Sequence, residues 1–232
     1  MTALRDLIKN PTAAELELIA RYAMLPEDAR RERAFTAFAE TGLPHRRMEA
    51  WKWTDFKAGL TAIESPKGAS AADPLSDGAA LIFRFTPQGL SYPDKLPDGL
   101  RMLAKPDAEA FAAAEDLPLG AMTAALSGHK KSPGTLMFEV TAPVAERIHF
   151  VFDGAGEANF GRCIFVVRAG ASLTMSESYL GGAGLSSSLF ELRLQDGVSM
   201  MSTVYERGGR EDAAWVTAVG HMGRGDGKRG RW

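Results

Sequence analysis

The second half of the chain repeats its residue pattern every 27 positions. Gly154, Gly181 and Gly208 keep this spacing. Three apolar columns keep it as well: Phe138, Phe165, Leu192 and Val219; Val140, Val167, Leu194 and His221; and Leu136, Cys163, Phe190 and Thr217. A fixed long period with alternating apolar residues inside each copy is typical of strands stacked in a solenoid, where each turn is stabilised by its neighbours. The repeat therefore predicts a β-solenoid with about 27 residues per turn.

Short strands bounded by glycines are predicted from Thr135 onward. They are TLMFEV, RIHFVF, CIFVV, SLTMSESY, LFELRL, SMMSTVY and AAWVTAV. Such strands suit a sandwich or a solenoid, and the fixed register favours the solenoid because sandwich strands need not keep their columns aligned. We expect Gly170 and Gly197 to form tight corners that need a positive φ, with Pro143 at that position in the earlier copy.

Residues 12–41 predict two helices. Thr12 and Glu15 have the spacing of a capping box for the first helix. Pro26 suits the first position of the second helix, and Gly42 suits its C-terminal cap. On the second helix we expect three arginines outside, Arg30, Arg31 and Arg33, and three apolar residues inside, Ala34, Phe35 and Phe38.

The residue composition and the hydrophobic pattern divide the chain into four parts. Residues 1–60 predict an N-terminal helical domain. Residues 61–134 predict a linker and a mixed α/β segment, with a surface linker over 61–78, a strand over 81–85 and a helical stretch over 105–127 broken near Pro118. Residues 135–222 predict the solenoid, and residues 223–232 an unstructured basic tail with a charge of +3. The predicted fold class is therefore α+β.

Composition excludes several function classes. The net charge of −2 gives no reason to expect nucleic acid or an anionic membrane as a partner. No apolar run reaches 18 residues, so we expect no membrane span and, from the polar N-terminus, no signal peptide. The single cysteine, Cys163, excludes an intramolecular disulfide and favours a reducing, cytoplasmic location.

Cysteine and histidine are the first candidates for chemistry. Cys163 shares a column with Leu136 and Phe190, which predicts a small buried hydrophobe rather than a nucleophile or metal ligand. His129 and His149 have no neighbouring cysteine and no triad spacing. His221 ends an apolar column, and we expect it to face solvent.

The carboxylates and the glycine-rich loop also predict no catalytic site. A polysaccharide-cleaving solenoid needs stacked carboxylates, but Glu139, Asp153 and Glu177 share no column with another acid. Gly181–Gly184 lacks the spacing of a phosphate-binding loop and is interpreted as a turn. We therefore name no catalytic, cofactor-binding or metal-ligating residue.

The segment Gly42–Phe56, GLPHRRMEAWKWTDF, mixes basic residues with two tryptophans. Nucleic-acid binders show such a pattern, but the acidic balance of the chain argues against that function. A structural anchor is the alternative interpretation. In it Trp51, Trp53 and Phe56 are buried, and three charged residues pair on the surface: Arg46, Arg47 and Glu49.

The same segment resembles the signature GLP-x-R-R-x-E-x-W-[KR]-[YW]-T-D found near the N-terminus of SufD-type members of the SufB/SufD iron–sulfur cluster assembly family. The later stretches GASLTMSESYLG, ELRLQDGVSMM and STVYERGGREDAAWVTAVGH are similar to the strand-and-glycine pattern of that family. The resemblance covers residues 15 to about 221. It implies an N-terminal helical domain followed by a right-handed parallel β-helix, with a C-terminal helical domain beyond it.

The resemblance also implies partners. A SufD-type protein pairs with a SufB-like protein, and their C-terminal domains bind the ATPase SufC. The assembled complex, rather than this chain alone, holds the iron–sulfur cluster transiently. The later β-helix turns and the SufC-docking domain of the family have no counterpart here, so we expect a truncated form with a partial β-helix. The functional cysteine and histidine of the family match no residue of this chain.

The resemblance therefore implies a non-catalytic, SufD-like scaffold component of cluster assembly. The alternative is a stand-alone β-solenoid interaction module, and a carbohydrate-active solenoid enzyme is a distant third. An open solenoid end exposes unpaired backbone, so we also expect the chain to self-associate.

Overall fold

The computed structural model describes residues 8–64, 72–77, 80–103, 117–128, 135–180, 184–206, 216–224 and 229–230. For residue 80, and from residue 204 onward, the description covers the backbone alone. Within these residues the protein is mixed α/β, with four α-helices and two mostly parallel sheets. The α-helices are α1 (Ala13–Tyr22), α2 (Ala29–Thr41), α3 (Phe56–Gly59) and α4 (Pro118–Leu126), and a 3₁₀ helix covers Glu49–Trp51.

Helix ends are set by side-chain caps. The capping box predicted for α1 is confirmed, since Thr12 and Glu15 each accept the backbone N–H of the other. The predicted start of α2 at Pro26 is wrong, because Asp28 is the N-cap and its carboxylate accepts two N–H groups of the first turn. An acceptor side chain satisfies orphan donors, which proline cannot do. Gly42 is confirmed as the C-terminal cap, with φ of 66°.

Eleven strands are described. They are β1 (Ala80–Thr86), β2 (Gly89–Ser91), β3 (Leu100–Met102), β4 (Thr135–Val140), β5 (Arg147–Asp153), β6 (Asn159–Val167), β7 (Ser172–Leu180), β8 (Ser186–Leu194), β9 (Ser199–Glu206), β10 (Val216–Arg224) and β11 (Arg229–Gly230). Sheet A has the order β2-β1-β5-β7-β9, and sheet B the order β11-β10-β8-β6-β4-β3. From β4 to β10, successive strands alternate between the two sheets.

Four parallel pairs keep the 27-residue offset: β4 with β6, β6 with β8, β5 with β7, and β7 with β9. Phe138 thus lies beside Phe165, and Phe165 beside Leu192. Gly170 and Gly197 have φ of 74° and 71°, as predicted for the corners. The periodicity therefore specified the register of the sheets through β9.

The register changes at β10. This strand pairs with β8 at an offset of 30 residues, so Leu192 lies beside Met222 and not Val219. The last members of the predicted columns are therefore wrong. The connection from β8 to β10 is three residues longer than the connection from β6 to β8. A shift by an odd number of residues exchanges the two faces of a strand. The tail predicted to be unstructured also differs, since β11 pairs with β10 and satisfies backbone groups at its edge.

An aromatic core lies between the sheets. Phe83 and Phe150 come from sheet A, while Phe138, Phe165 and Phe190 come from sheet B. The Phe150 ring centroid lies 5.4 Å from that of Phe83 and 5.2 Å from that of Phe190. Such ring pairs stabilise beyond the area that they bury. The two sheets therefore share one core.

A second core joins the helices to sheet B. The four α-helices contribute to one buried cluster that also contains Phe160 of β6 and Leu189 of β8. Arg21 lies 5.1 Å above the Phe160 ring. Arg31, predicted to face outward, donates to the carbonyls of Ala125 and Ser127 at 2.8 and 2.9 Å. These carbonyls end α4 and lack helical partners, which explains the correction.

Part of the stretch 61–134 packs against the helical core. Ile63 is buried, and its carbonyl accepts the Leu185 N–H at 2.8 Å. The surface linker predicted over 61–78 is therefore wrong at Ile63, because its apolar side chain joins the helical core. The strand predicted over 81–85 is confirmed as β1. Pro118 begins α4, which agrees with the break predicted near it, and the part of the predicted helical stretch over residues 105–116 lies outside the described residues.

Candidate functional site

A polar network lies on the outer face of sheet A. Along β5, Ile148 and Phe150 enter the aromatic core, so His149 between them faces the other side. Ser176 and Ser178 occupy the same face of the neighbouring strand β7. Strand alternation thus brings an imidazole and two hydroxyls together on rigid elements.

Asp73 completes this network. Its Oδ2 lies 2.7 Å from His149 Nε2, and its Oδ1 accepts Ser178 Oγ at 2.8 Å. His149 Nδ1 lies 2.8 Å from Ser176 Oγ. Asp73 also accepts the Leu75 N–H and the Ser76 hydroxyl within its own turn. The linker prediction is therefore wrong at Asp73 too, because this carboxylate needs the donors that the sheet supplies.

The network favours an ionised Asp73. Burial opposes ionisation, but the hydrogen bonds from Ser76, His149, Ser178 and the Leu75 N–H outweigh it and lower the pKa to about 2. Hydrogen bonds to the charged form of a carboxyl group favour that form. Asp73 therefore carries its negative charge at neutral pH.

His149 is hydrogen-bonded to Ser176 through one ring nitrogen and to Asp73 through the other, which is the arrangement of a nucleophilic triad. A nucleophile must reach its substrate, however, and the side chains of Ser176 and His149 are 0% exposed. In this structure the three residues hold residues 72–77 against the sheet. Sequence reasoning missed the group because Asp73 lies 76 residues before His149. The spacing of Asp73 and Ser76 indicates a local turn, but it does not indicate that Asp73 also binds His149.

Cys163 lies where its column predicted. It pairs with Leu136 and Phe190 and is fully buried in the aromatic core. Burial, and then the nearby Glu177 carboxylate, raise the pKa of its thiol well above the ordinary value. The thiolate is the nucleophilic and metal-binding form, so this position disfavours both chemistries.

The other two candidate histidines, His129 and His221, are not described in full. His129 is outside the described residues. The backbone of His221 pairs with Glu191 and not with Leu194, so its predicted column is wrong, and its side chain is not described. The register change at β10 causes this difference.

Three carboxylates on the strands share no register position with another acid, as predicted. Glu139, Asp153 and Glu177 lie in register with non-acidic residues, namely Val166, Leu180 and Phe150. Glu139 instead accepts Arg101 Nε at 2.5 Å and Arg168 Nε at 2.7 Å. Among the described residues, no group of three or more histidines, cysteines and acids could hold a metal ion.

The segment Gly42–Phe56 is only partly an anchor. Phe56 is buried, as predicted, whereas Trp51 beside it is only partly buried. Trp53 is 88% exposed, so its predicted burial is wrong, and its ring lies 5.7 Å from Lys52 Nζ. The predicted surface pairing of three charges is also wrong, because closer partners exist along the chain. Arg46 pairs with Asp55 at 3.8 Å, and Glu49 pairs with Lys52 at 2.6 Å.

Two further features bear on function. Of the glycine-rich loop, residues 181–183 lie outside the described part, and the described Gly184 closely approaches the backbone of Gly156. No helix in the described ranges is long and apolar enough to cross a membrane.

No family model matches the chain, and a search of curated proteins finds no match.

Proposed function

We propose that this protein is a SufD-like, non-catalytic scaffold component of an iron–sulfur cluster assembly complex in the cytoplasm. The observation that carries the proposal is the 27-residue offset shared by four parallel strand pairs. This offset suits a partial right-handed parallel β-helix, which is the fold that the signature-like segment Gly42–Phe56 implies. We propose that fold for residues 135–222, with the helices packed on one of its sheets.

The proposed partner of this chain is a SufB-like protein, and a SufC-like ATPase is proposed to join the complex through the SufB-like protein. The iron–sulfur cluster is cargo of the assembled complex, and this chain alone is proposed to hold none. The burial of Cys163 and its raised pKa support the proposal that this chain alone holds no cluster, because a neutral thiol inside an aromatic core cannot reach an iron ion.

Co-expression with a SufB-like protein and a SufC-like ATPase tests the proposal. We expect the three chains to elute together in size-exclusion chromatography. A Phe165→Asp variant, which places a charge in the aromatic core, serves as the misfolded control and should not co-elute. If the native chain elutes alone while the partners associate, the alternative is favoured: a stand-alone β-solenoid interaction module.

Self-association is proposed through the edge of sheet A. Among the described residues, β9 has a paired strand on one side only, and Met201 is 60% exposed. An open strand edge is a template for pairing with another chain. We expect light scattering at micromolar concentration to show assemblies, and Met201→Lys to reduce them. A monodisperse monomer in both samples would contradict the proposal.

A further inference from the structure

Residues 72–77, here named the strap, lie across the outer face of sheet A. Several polar groups join the strap to the sheet. Asp73 binds the two strands as described, and Arg147 Nη2 donates to the Leu75 carbonyl at 2.6 Å. Arg147 Nη2 also lies 3.1 Å from Asp77 Oδ1. The strap thus places two carboxylates, four residues apart, against one face of β5 and β7.

The sheet groups beneath the strap form a receptor for a carboxylate. His149 Nε2 and Ser178 Oγ each contact a different oxygen of the Asp73 carboxylate. Ser176 holds the imidazole from its other nitrogen, independently of the strap. Two donors on neighbouring rigid strands, with the arginine cation beside them, have the geometry of two-point carboxylate recognition.

We propose that His149, Ser178 and Arg147 form a binding site for an acidic protein segment, and that the strap fills this site as an intramolecular ligand. The strap itself defines the chemistry of the competing segment, which has two carboxylates four residues apart around a turn. Displacement uncovers the donors of His149, Ser178 and Arg147, which water can solvate. The site rests on this geometry alone and does not depend on the function proposed above.

The first test uses formate as the probe and Asp73→Ala to empty the site. We expect the variant to melt at a lower temperature than the native protein. Formate should then raise its melting temperature by several degrees, saturably and more than chloride at equal ionic strength. Adding His149→Gln should abolish the formate-specific rise. Equal effects of formate and chloride, or a formate-specific rise that persists in the double variant, would overturn the proposal.

A second test keeps Asp73 and therefore the fold. Asp77→Asn weakens the strap at Arg147 only, since the Asp77 side chain is otherwise exposed. The peptide Ala-Asp-Pro-Leu-Ser-Asp, which copies the strap, should shift the ring resonances of His149 in nuclear magnetic resonance spectra. The matched amide peptide, Ala-Asn-Pro-Leu-Ser-Asn, should not. Identical responses to the two peptides would reject the site.

Discussion

The helical part and sheet A each use a carboxylate to join distant segments, but they reach this result differently. Glu15 starts from a local capping box and also accepts the Leu43 N–H at 2.8 Å and Lys57 Nζ at 3.0 Å. Asp73 binds side chains 76 and 105 residues away, on two strands. Burial raises the pKa of each carboxyl group, but hydrogen bonds outweigh it and lower both. The comparison shows that Glu15 extends a local cap to distant partners, whereas Asp73 depends on two strands that their register places side by side.

The largest expected effect tests whether the two regions unfold together. Phe150→Ala removes a ring that contacts both sheets and leaves a cavity in the aromatic core. We expect the free energy of unfolding to fall by about 3–5 kcal/mol. Since Phe160 and Leu189 connect the helices to sheet B, helical ellipticity should be lost in the same, earlier transition. A helical signal that keeps its original midpoint would show that the regions are independent.

The next effect concerns Glu15. Glu15→Gln keeps the shape but turns a carboxylate that faces three donors into an amide that is itself a donor. We expect a loss of about 1–3 kcal/mol, because buried donors lose their acceptor. Glu40→Gln on the exposed side of α2 is the matched control and should change stability by less than about 0.5 kcal/mol. Equal losses in urea unfolding would mean that burial of Glu15 contributes nothing.

Asp73 should make stability depend on pH. Its pKa lies at about 2 instead of 3.8, so its contribution is fully present above pH 3.8 and is lost as the pH falls towards 2. This shift corresponds to about 2 kcal/mol. In urea unfolding, the stability difference between the native protein and Asp73→Asn should therefore be constant near neutrality and shrink over that window. A difference that stays constant down to pH 2 would contradict the prediction.

Much of the fold could be predicted because its signals are local or periodic. The capping box at Thr12 and the corner glycines lie within a few residues of what they determine. The 27-residue columns gave the correct register wherever the repeat length was constant. The error at His221 follows from one longer connection, which periodicity alone cannot reveal.

The candidate site could not be predicted, since its donor and acceptor lie in separate segments. His149 occupies an outward position between core residues, which is visible in the strand pattern. Asp73 belongs to a stretch of small and polar residues, where composition indicates a surface linker. Only the fold brings the strap over β5 and β7. Trp53 was misassigned for the related reason that exposure of an aromatic residue is decided by tertiary packing.

The smallest expected effect isolates a single corner of the sheets. Gly170 has φ of 74°, and a Cβ placed there would meet no atom within 4 Å. Gly170→Ala should therefore cost only backbone strain, about 1 kcal/mol. Gly170→Asn should cost less, because asparagine tolerates this conformation. Gly161→Ala is the contrasting variant, since its Cβ would lie 2.5 Å from a Phe152 ring carbon and should destabilise more. If thermal melts show equal losses for alanine at Gly170 and at Gly161, the backbone strain at the corner costs as much as the clash with Phe152, and the expected ranking is wrong.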